Sequence, residues 1–368
     1  MPKKHYLCQF LAKEKAMISP IIEEKTIERL RAYINSAQRI VITCHKSPDG
    51  DALGSSLALC HILRRLGKDV VVVTPDMAPK SLEFIPGVRE LVVYTKHELR
   101  ARNVLKDAQL LFCLDFNSMK RIDRLAELVG SLNVRRVLID HHLDPDDDFD
   151  ISISFPESSS TCELVFRVLM QMGLLRMMDR HAASCLYVGL LTDTGGFAYS
   201  CDNPEFYEIL ASILRRRIDR IGLYNKAMNT FSADSVRLQG YALSEKMELF
   251  PEQGAALITL SKEELERFNY NRGDTETLVN KPLAIPEIYW SVFLREDADK
   301  IKVSCRSQGD FSVSDICARY FNGGGHFNAA GGDYVGSLDE AIAAFHQVLN
   351  DLFPDNDNSQ EQSIQEQE

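Results

Sequence analysis

Short segments rich in β-branched residues alternate with helical segments through the first part of the chain, and this alternation constrains the fold most strongly. The segments 39–44, 69–74, 109–114 and 136–139 predict strands. Helical patterns lie at 21–34, 53–66 and 122–129. Strands that alternate with helices form a parallel sheet covered by helices on both faces. The sequence therefore predicts an α/β fold for this part of the chain.

After residue 159 the pattern becomes mainly helical, and residues 233–250 predict one amphipathic helix. Beyond it, strands at 255–260, 287–294 and 301–306 and helices at 313–320 and 338–352 predict a smaller α/β domain. We therefore expect a catalytic domain over 18–230, a helical linker over 231–252, a second domain over 253–354 and a disordered acidic tail over 355–368. Whether residues 1–16 belong to the native protein is left open.

The composition argues against several classes of protein. The 368 residues carry a formal net charge of −11, which disfavours a protein that coats nucleic acid through bulk electrostatics. No stretch reaches the roughly 18 consecutive apolar residues that a membrane helix needs. Nine cysteines without a Cys-x-x-Cys pair suit reduced thiols. We therefore expect a soluble cytoplasmic protein with no membrane partner.

Four clusters of residues that commonly bind metals each follow an apolar segment. In chain order they are His45 with Asp49 and Asp51, then Asp115, then Asp140-His141-His142, then Asp193. The first three follow predicted strands, and ligands of a parallel sheet bind beyond the carboxyl ends of its strands. Carboxylates gathered there require a cation, and the mixture of imidazole and carboxylate favours Mn²⁺ or Zn²⁺ over Ca²⁺. The set is large enough for two metals that share one carboxylate.

Each cluster also has a simpler explanation. Asp49 and Asp51 are good turn residues, while Asp115 and Asp193 have the composition of helix N-caps or turns. The adjacent Asp140, His141 and His142 are harder to explain by packing.

A glycine run in the second half of the chain is a candidate phosphate-binding loop. Gly323, Gly324 and Gly325 precede His326. Residues without a Cβ atom let backbone amides approach a phosphate, and the histidine adds a hydrogen bond. Arg306 ends a predicted strand and is a candidate for bidentate phosphate binding. The alternatives are a helix stop signal for the glycines and an ordinary surface position for the arginine.

These segments resemble motifs I to IV of the DHH phosphoesterase superfamily, and the run from Gly323 to Gly331 resembles the signature of the DHHA1 domain. Together they resemble the NrnA-like group, over about residues 20–350. The resemblance implies that His45, Asp49 and Asp115 hold one metal, and that Asp51, Asp115, His141 and Asp193 hold the other. It also implies that His142 contacts the scissile phosphate and that Asp140 orients the imidazoles. Ser47 departs from the asparagine that the family often has before Pro-Asp.

The resemblance implies a two-metal phosphoesterase, with Mn²⁺ favoured, that hydrolyses short oligoribonucleotides (nanoRNA, pApA) and 3′-phosphoadenosine 5′-phosphate (pAp) to mononucleotides. Cyclic di-AMP is an alternative substrate, and polyphosphate or pyrophosphate are weaker ones. The alternative outside the enzymes is a nucleotide sensor, which the complete set of ligands disfavours. A homodimer is left open.

Overall fold

A computed structural model describes residues 18–271 and 273–354 of the chain. They form two compact units that divide between Thr230 and Phe231. The segment 1–16 and the expected acidic tail, 355–368, lie outside the described residues. Within the described ranges, no helix is both long and apolar enough to cross a bilayer.

The described part of the first unit contains six strands and eight α-helices. The strands are β1 (Arg39–Cys44), β2 (Asp69–Thr74), β3 (Val92–Val93), β4 (Leu110–Leu114), β5 (Arg135–Asp140) and β6 (Ile151–Ser154). The helices are α1 (Glu24–Ser36), α2 (Gly50–Arg65), α3 (Glu98–Lys106), α4 (Leu125–Gly130), α5 (Thr161–Gln171), α6 (Arg180–Asp193), α7 (Pro204–Leu214) and α8 (Arg220–Met228). The strands form one sheet in the order β3-β2-β1-β4-β5-β6, and every neighbouring pair is parallel.

The sheet of the first unit is buried on both faces. Alternate residues of β1 belong to different hydrophobic cores, with Ile40 and Ile42 in one and Val41 in the other. Helices cover both faces because apolar strand residues point in both directions. The predicted α/β fold with a parallel sheet is confirmed, and the four predicted strands are present with shifts of one residue at most. The sequence did not reveal β3 and β6, which are short strands at the two edges of the sheet.

The strand order places a crevice beside β1. From β1 the chain moves outward to β2 and β3, and it then returns to the other side of β1 to form β4, β5 and β6. In open parallel sheets the crevice at such a reversal is the usual ligand site, beyond the carboxyl ends of the strands. His45 follows β1, Asp115 follows β4 and Asp140 ends β5, so the fold brings these three residues to one edge.

Helices α2 and α6 approach closely at two glycines. A Cβ atom on Gly54 would lie 2.6 Å from the carbonyl oxygen of Cys185, and one on Gly189 would lie 2.9 Å from Oδ1 of Asp51. Only glycine permits this approach. Asp51 lies in the first turn of α2, and α6 ends at Asp193, so the two glycines help to set the distance between two candidate ligands.

The second unit contains a mixed six-stranded sheet. In chain order its elements are α9 (Ala233–Glu245), β7 (Met247–Phe250), β8 (Ala255–Leu260), α10 (Lys262–Arg267), β9 (Trp290–Glu296), β10 (Ile301–Ser307), α11 (Val313–Tyr320), β11 (Gly323–His326), β12 (Ala329–Tyr334) and α12 (Leu338–Leu352). The strand order is β11-β12-β10-β9-β8-β7, and β8 with β9 is the parallel pair. The predicted second α/β sheet is therefore confirmed.

Two local predictions in the second unit are wrong. The helix predicted over 233–250 ends at Glu245, because 247–250 form β7, whose antiparallel pairing with β8 overrides the helical pattern. The glycine run predicted as a loop forms β11, an edge strand that pairs with β12. Glycine makes this hairpin possible. A Cβ atom on Gly325 would lie 2.6 Å from the carbonyl oxygen of Ala329, and the φ angle of Gly325 is 148°.

Candidate metal centre

The segment that runs from the end of β1 into the first turn of α2 supplies three candidate ligands, His45, Asp49 and Asp51. Asp49 caps α2, since its Oδ1 accepts hydrogen bonds at 3.0 Å from the backbone amides of Asp51 and Ala52. Its other oxygen, Oδ2, lies 3.6 Å from Nε2 of His45. The turn explanation and the ligand explanation for Asp49 are therefore compatible, because each uses a different oxygen of the carboxylate.

His45 presents one nitrogen to two carboxylates. Its Nδ1 lies 2.8 Å from the carbonyl oxygen of Lys46, which can only accept, so this nitrogen carries the proton. In the neutral ring Nε2 then has a lone pair, and this atom lies 3.6 Å from Asp49 Oδ2 and 3.4 Å from Asp115 Oδ2. Nε2 is buried and has no hydrogen-bond partner among the described residues. Three electron-rich atoms that face one another call for a cation.

His141 repeats this arrangement on the other side of Asp115. Its Nδ1 lies 3.3 Å from the carbonyl oxygen of Ser158. Its Nε2 lies 3.5 Å from Asp193 Oδ2 and 3.7 Å from Asp115 Oδ1. Donor atoms of Asp51, His141 and Asp193 all lie within 4.8 Å of one another. The structure therefore assembles two donor sets.

Asp115 lies between the two sets. Its Oδ2 faces His45 and its Oδ1 faces His141, so each carboxylate oxygen belongs to a different set. The residue has a φ angle of 63°, in the left-handed region, which aspartate tolerates better than most residues. The helix N-cap alternative for Asp115 is wrong, because Ser118 caps the short 3₁₀ helix that follows.

Asp193 is the last residue of α6 rather than the residue that caps a helix. The carboxyl end of a helix carries a partial negative charge, which disfavours a carboxylate there unless a cation is close. The N-cap alternative for Asp193 is therefore wrong, and its position adds to the negative potential at this edge of the sheet.

The two histidines of the triplet have different surroundings. The side chain of His141 is 6% exposed, and that of His142 is 23% exposed. Nδ1 of His142 donates to Oδ1 of the buried Asp140 at 2.7 Å. This hydrogen bond fixes the orientation of the His142 ring and directs its Nε2 away from Asp140. Asp140 therefore contacts the His142 imidazole, and the different roles of the two histidines stay a prediction.

The ionisable groups show the same demand for positive charge. Burial raises the pKa of Asp51 well above its usual range, and the charges of Asp115 and Asp193 raise it further. Burial alone would lower the pKa of His45, but the carboxylates of Asp49 and Asp115 outweigh burial and raise that pKa well above its usual value. Without a metal, the site favours bound protons.

The donor atoms fit divalent metals. Metals such as Zn²⁺ bind nitrogen and oxygen at about 2.0–2.2 Å, so neighbouring ligand atoms in one shell lie roughly 3.0–3.5 Å apart. The separations of 3.4–3.7 Å around His45 and His141 exceed a hydrogen bond and approach this spacing. His45, Asp49 and Asp115 could hold one ion, while Asp51, Asp115, His141 and Asp193 could hold a second.

The sequence did not identify one segment that contacts the site, residues 158–162. Ser160-Thr161-Cys162-Glu163 predicted a capping box, and Ser160 does cap α5 by accepting from the amide of Glu163 at 3.1 Å. The Glu163 carboxylate, however, accepts from Ser159 instead of Ser160. The first turn of α5 faces the candidate ligands, with Thr161 N donating to Asp51 Oδ2 at 2.6 Å.

In the second unit, two predicted substrate-binding residues lie on one face of the sheet. Arg306 on β10 and His326 on β11 are both opposite Ala329 on the intervening strand β12. Residues in register share a face, and two strand spacings separate their backbones by about 10 Å. Gly324 is exposed on β11, and a Cβ atom there would meet no atom within 4 Å. Neither a close contact nor the backbone conformation therefore requires glycine at position 324. The absence of a side chain there leaves room for a ligand.

Comparisons with known proteins agree with these observations. Residues 39–190 match the model of the DHH family, N-terminal domain, and residues 255–351 match the DHHA1 domain. A Streptococcus mutans protein named probable bifunctional oligoribonuclease and PAP phosphatase NrnA is 28% identical, and the match covers 87% of this chain and 96% of that protein. A Bacillus subtilis protein named bifunctional oligoribonuclease and PAP phosphatase NrnA is 27% identical. The match covers 85% of this chain and 93% of that protein.

A solved structure extends the likeness to three dimensions. An exopolyphosphatase-related protein from Bacteroides fragilis superposes with a TM-score of 0.87 and 42% identity, covering 91% of this chain and 98% of that one. The two family-model matches fall in both units, and the first of them includes the segments of His45, Asp115 and Asp140. The chain belongs to the DHH family and carries a DHHA1 domain in its second unit.

Proposed function

We propose that this protein is a phosphoesterase that uses two divalent metals to hydrolyse short oligoribonucleotides and pAp to mononucleotides. The position of Asp115 carries the proposal, because its two oxygens face two separate sets of imidazole and carboxylate donors. The names of the Streptococcus mutans and Bacillus subtilis relatives support the choice of substrate.

The ligands have distinct tasks in this reaction. When bound, two metals would lower the pKa of the attacking water and neutralise charge that develops on the phosphate oxygens. The hydrogen bonds from Nδ1 of His45 and His141 to backbone carbonyls hold both rings with Nε2 directed at the carboxylates. These contacts fix the ligand geometry before the substrate arrives, which reduces the reorganisation needed during the reaction.

His142 is proposed to contact the scissile phosphate. Its ring is more exposed than that of His141, and because Nδ1 makes the hydrogen bond to Asp140, Nε2 is the atom proposed to meet a phosphate oxygen. Asp140 holds the ring through the Nδ1 hydrogen bond, so Nε2 of His142 is kept in one direction to meet the charge that develops in the transition state. Asp140 does not need to contact substrate for this role.

The face that carries Arg306 and His326 is proposed to bind a more distant part of the substrate. Arginine forms two parallel hydrogen bonds with a phosphate, and histidine contributes another donor. The exposed Gly324 allows a nucleotide to approach the strand backbone. Its neighbours Gly323 and Gly325 have a structural task, since a Cβ atom on either would contact the backbone of β12.

The metal is proposed to be Mn²⁺. Carboxylates with two imidazoles and no thiolate suit Mn²⁺, and they also accommodate Mg²⁺ or Zn²⁺. Activity of the metal-stripped protein after addition of each ion tests this choice. We also propose a cytoplasmic location, which agrees with the eight described cysteines being free and buried.

Polyphosphate is a second candidate substrate, because the similar Bacteroides fragilis protein is described as exopolyphosphatase-related. Cyclic di-AMP remains the alternative among nucleotides. One parallel assay with Mn²⁺ separates these possibilities, using pAp, pApA, an RNA 3-mer, an RNA 24-mer, cyclic di-AMP, polyphosphate and pyrophosphate. We expect release of mononucleotides from pApA and the 3-mer, and release of phosphate from pAp. Equal turnover of the 24-mer and the 3-mer, or preferred turnover of polyphosphate, would contradict the proposal.

A further inference from the structure

We infer that Thr161 is a positioning residue of the metal centre, and that its hydroxyl fixes the orientation of the Asp115 carboxylate. The inference deepens the proposed function and rests on it, since it concerns the carboxylate proposed to bind both metals. None of the predicted ligand motifs includes Thr161, which is the first residue of α5.

The contact joins two buried side chains. Oγ1 of Thr161 donates to Oδ1 of Asp115 at 3.0 Å, and the two residues are 0% and 2% exposed. Oδ1 is the oxygen that faces His141, while Oδ2 faces His45. The terminal torsion of an aspartate has a broad energy profile, so the carboxylate rotates easily unless a neighbour holds it. A hydrogen bond to one oxygen fixes the directions of both.

Thr161 is itself held against another candidate ligand. Its backbone amide donates to Oδ2 of Asp51 at 2.6 Å, and the amide of Cys162 donates to Oδ1 of Asp51 at 2.9 Å. Three residues earlier, the carbonyl oxygen of Ser158 accepts from Nδ1 of His141. A single segment therefore contacts one carboxylate from α2, one from the end of β4 and one imidazole from the end of β5.

Buried polar contacts hold this segment from behind. The Glu163 carboxylate accepts from the amide and hydroxyl of Ser159 at 3.0 and 2.7 Å. Arg167 pairs with the same carboxylate at 2.8 Å and with Glu205 on α7 at 2.8 Å. Glu163 and Arg167 are both buried. A satisfied buried network of this kind is rigid, so the Thr161 hydroxyl has a fixed position from which to orient Asp115.

Loss of the hydroxyl should weaken metal binding more than it weakens the fold. Hydrogen-bond partners of metal ligands typically contribute about 10- to 100-fold to metal affinity or activity. Thr161→Val removes the hydroxyl while keeping the shape and the backbone contact to Asp51. Thr161→Ser keeps the hydroxyl and removes only the methyl group.

The experiment measures Mn²⁺ binding to the metal-stripped full-length protein by calorimetric titration, with no nucleotide present. We expect Thr161→Val to raise the dissociation constant about 10- to 100-fold, and Thr161→Ser to stay within about threefold of the wild type. Thr74→Val is the matched control. Thr74 is buried, its Oγ1 has no hydrogen-bond partner among the described residues, and loss of that hydroxyl should leave the dissociation constant unchanged.

Three results would overturn the inference: wild-type affinity in Thr161→Val, equal losses in Thr161→Ser and Thr161→Val, or an equal loss in Thr74→Val. Thermal unfolding of each metal-stripped variant checks the fold. If Thr161→Val does not fold, Thr161→Cys, whose thiol is a weak donor, replaces it in the same comparison. Failure of the proposed function is separate: a wild type that binds Mn²⁺ but hydrolyses none of the substrates would refute the function and leave the Thr161 inference intact.

Discussion

The candidate metal centre of the first unit and the Arg306–His326 face of the second unit differ in how their polar residues are buried and held. In the metal centre, His45, His141 and Asp115 are buried, and each has a further hydrogen bond that fixes its orientation. On the Arg306–His326 face, the side chains are partly exposed and lie beside small residues. These small residues are Gly324, Ala329 and Gly331.

In the proposed function, this difference separates chemistry from recognition. Buried carboxylates and imidazoles with fixed directions stabilise positive charge at defined points. Burying these groups costs desolvation free energy unless a cation compensates their charge. A partly exposed face lined by small residues has room for a ligand and a few hydrogen bonds, so its proposed contribution is to substrate affinity rather than to the reaction geometry. Substitutions in the metal centre should therefore change metal binding and kcat, whereas those on the face should mainly change KM.

The strongest test removes the carboxylate that the two donor sets share. Asp115→Asn should reduce hydrolysis of pApA to background, because the neutral amide keeps one oxygen and replaces the other with an NH₂ group that cannot bind a metal. Asparagine also tolerates the left-handed backbone at this position. Calorimetry should show loss of Mn²⁺ binding. Asp69→Asn, on an exposed residue at the start of β2, is the control and should behave as the wild type. Wild-type activity in Asp115→Asn would refute the two-metal assignment.

The two adjacent histidines should separate metal binding from catalysis. His142→Asn should lower kcat about 10²- to 10³-fold while Mn²⁺ binding stays close to that of the wild type, because His142 is proposed to act on the phosphate. His141→Asn should weaken Mn²⁺ binding itself. Steady-state kinetics at saturating Mn²⁺, together with calorimetry, measure both effects. If the two variants lose metal affinity equally, the assignment of different roles is wrong.

A side chain added to the Arg306–His326 face should affect recognition alone. Gly324→Val places a β-branched residue, which suits a strand, into open space beside the proposed path of the nucleotide. We expect KM for pApA to rise about tenfold, about 1.4 kcal/mol, with kcat and Mn²⁺ binding unchanged. The control is Gly240→Ala in α9, where an added Cβ atom also meets nothing within 4 Å. A fall in kcat without a change in KM would contradict the separation of the two regions.

The smallest predicted effect concerns stability and pH. The pKa of His45 is raised well above its ordinary value of 6.5 because, although burial lowers it, Asp49 and Asp115 outweigh burial. Stabilisation by a group with a raised pKa is fully present below the unfolded value and is lost as pH rises through the folded value. The metal-stripped protein should therefore have a lower Tm at pH 8.5 than at pH 6. Mn²⁺ should remove most of this difference, since it replaces the protons. A metal-stripped Tm that rises with pH would contradict this expectation.

The sequence predicted the strands that precede the candidate ligands, because the signals for these strands are local. Strands β1, β4 and β5 are apolar runs, and His45, Asp115 and Asp140 lie at or just after their ends. A parallel sheet is enough to bring such positions together. The bridging geometry of Asp115 was expected from the family resemblance, and the structure adds the direction that each oxygen faces.

Contacts between distant residues and pairing between strands could not be predicted in the same way. Thr161 and Asp115 are 46 positions apart, and the sequence around Thr161 shows only the local pattern of a helix start. Similarly, residues 247–250 continue a helical pattern, and only their partner β8 makes them a strand. The glycines of β11 gave an ambiguous signal, since glycine suits a loop, a close strand contact or a ligand-binding surface.

The crossing of α2 and α6 at Gly54 and Gly189 has a consequence for how this centre can change over evolutionary time. Because a methyl group at either glycine would push the helices apart, the separation between Asp51 and Asp193 cannot drift in small steps through substitutions at the crossing. Adaptation to an ion of another size would more readily proceed through exchange of the ligands themselves. The crossing thus holds the two helices at a fixed separation and leaves the proposed ligands as the part that can change.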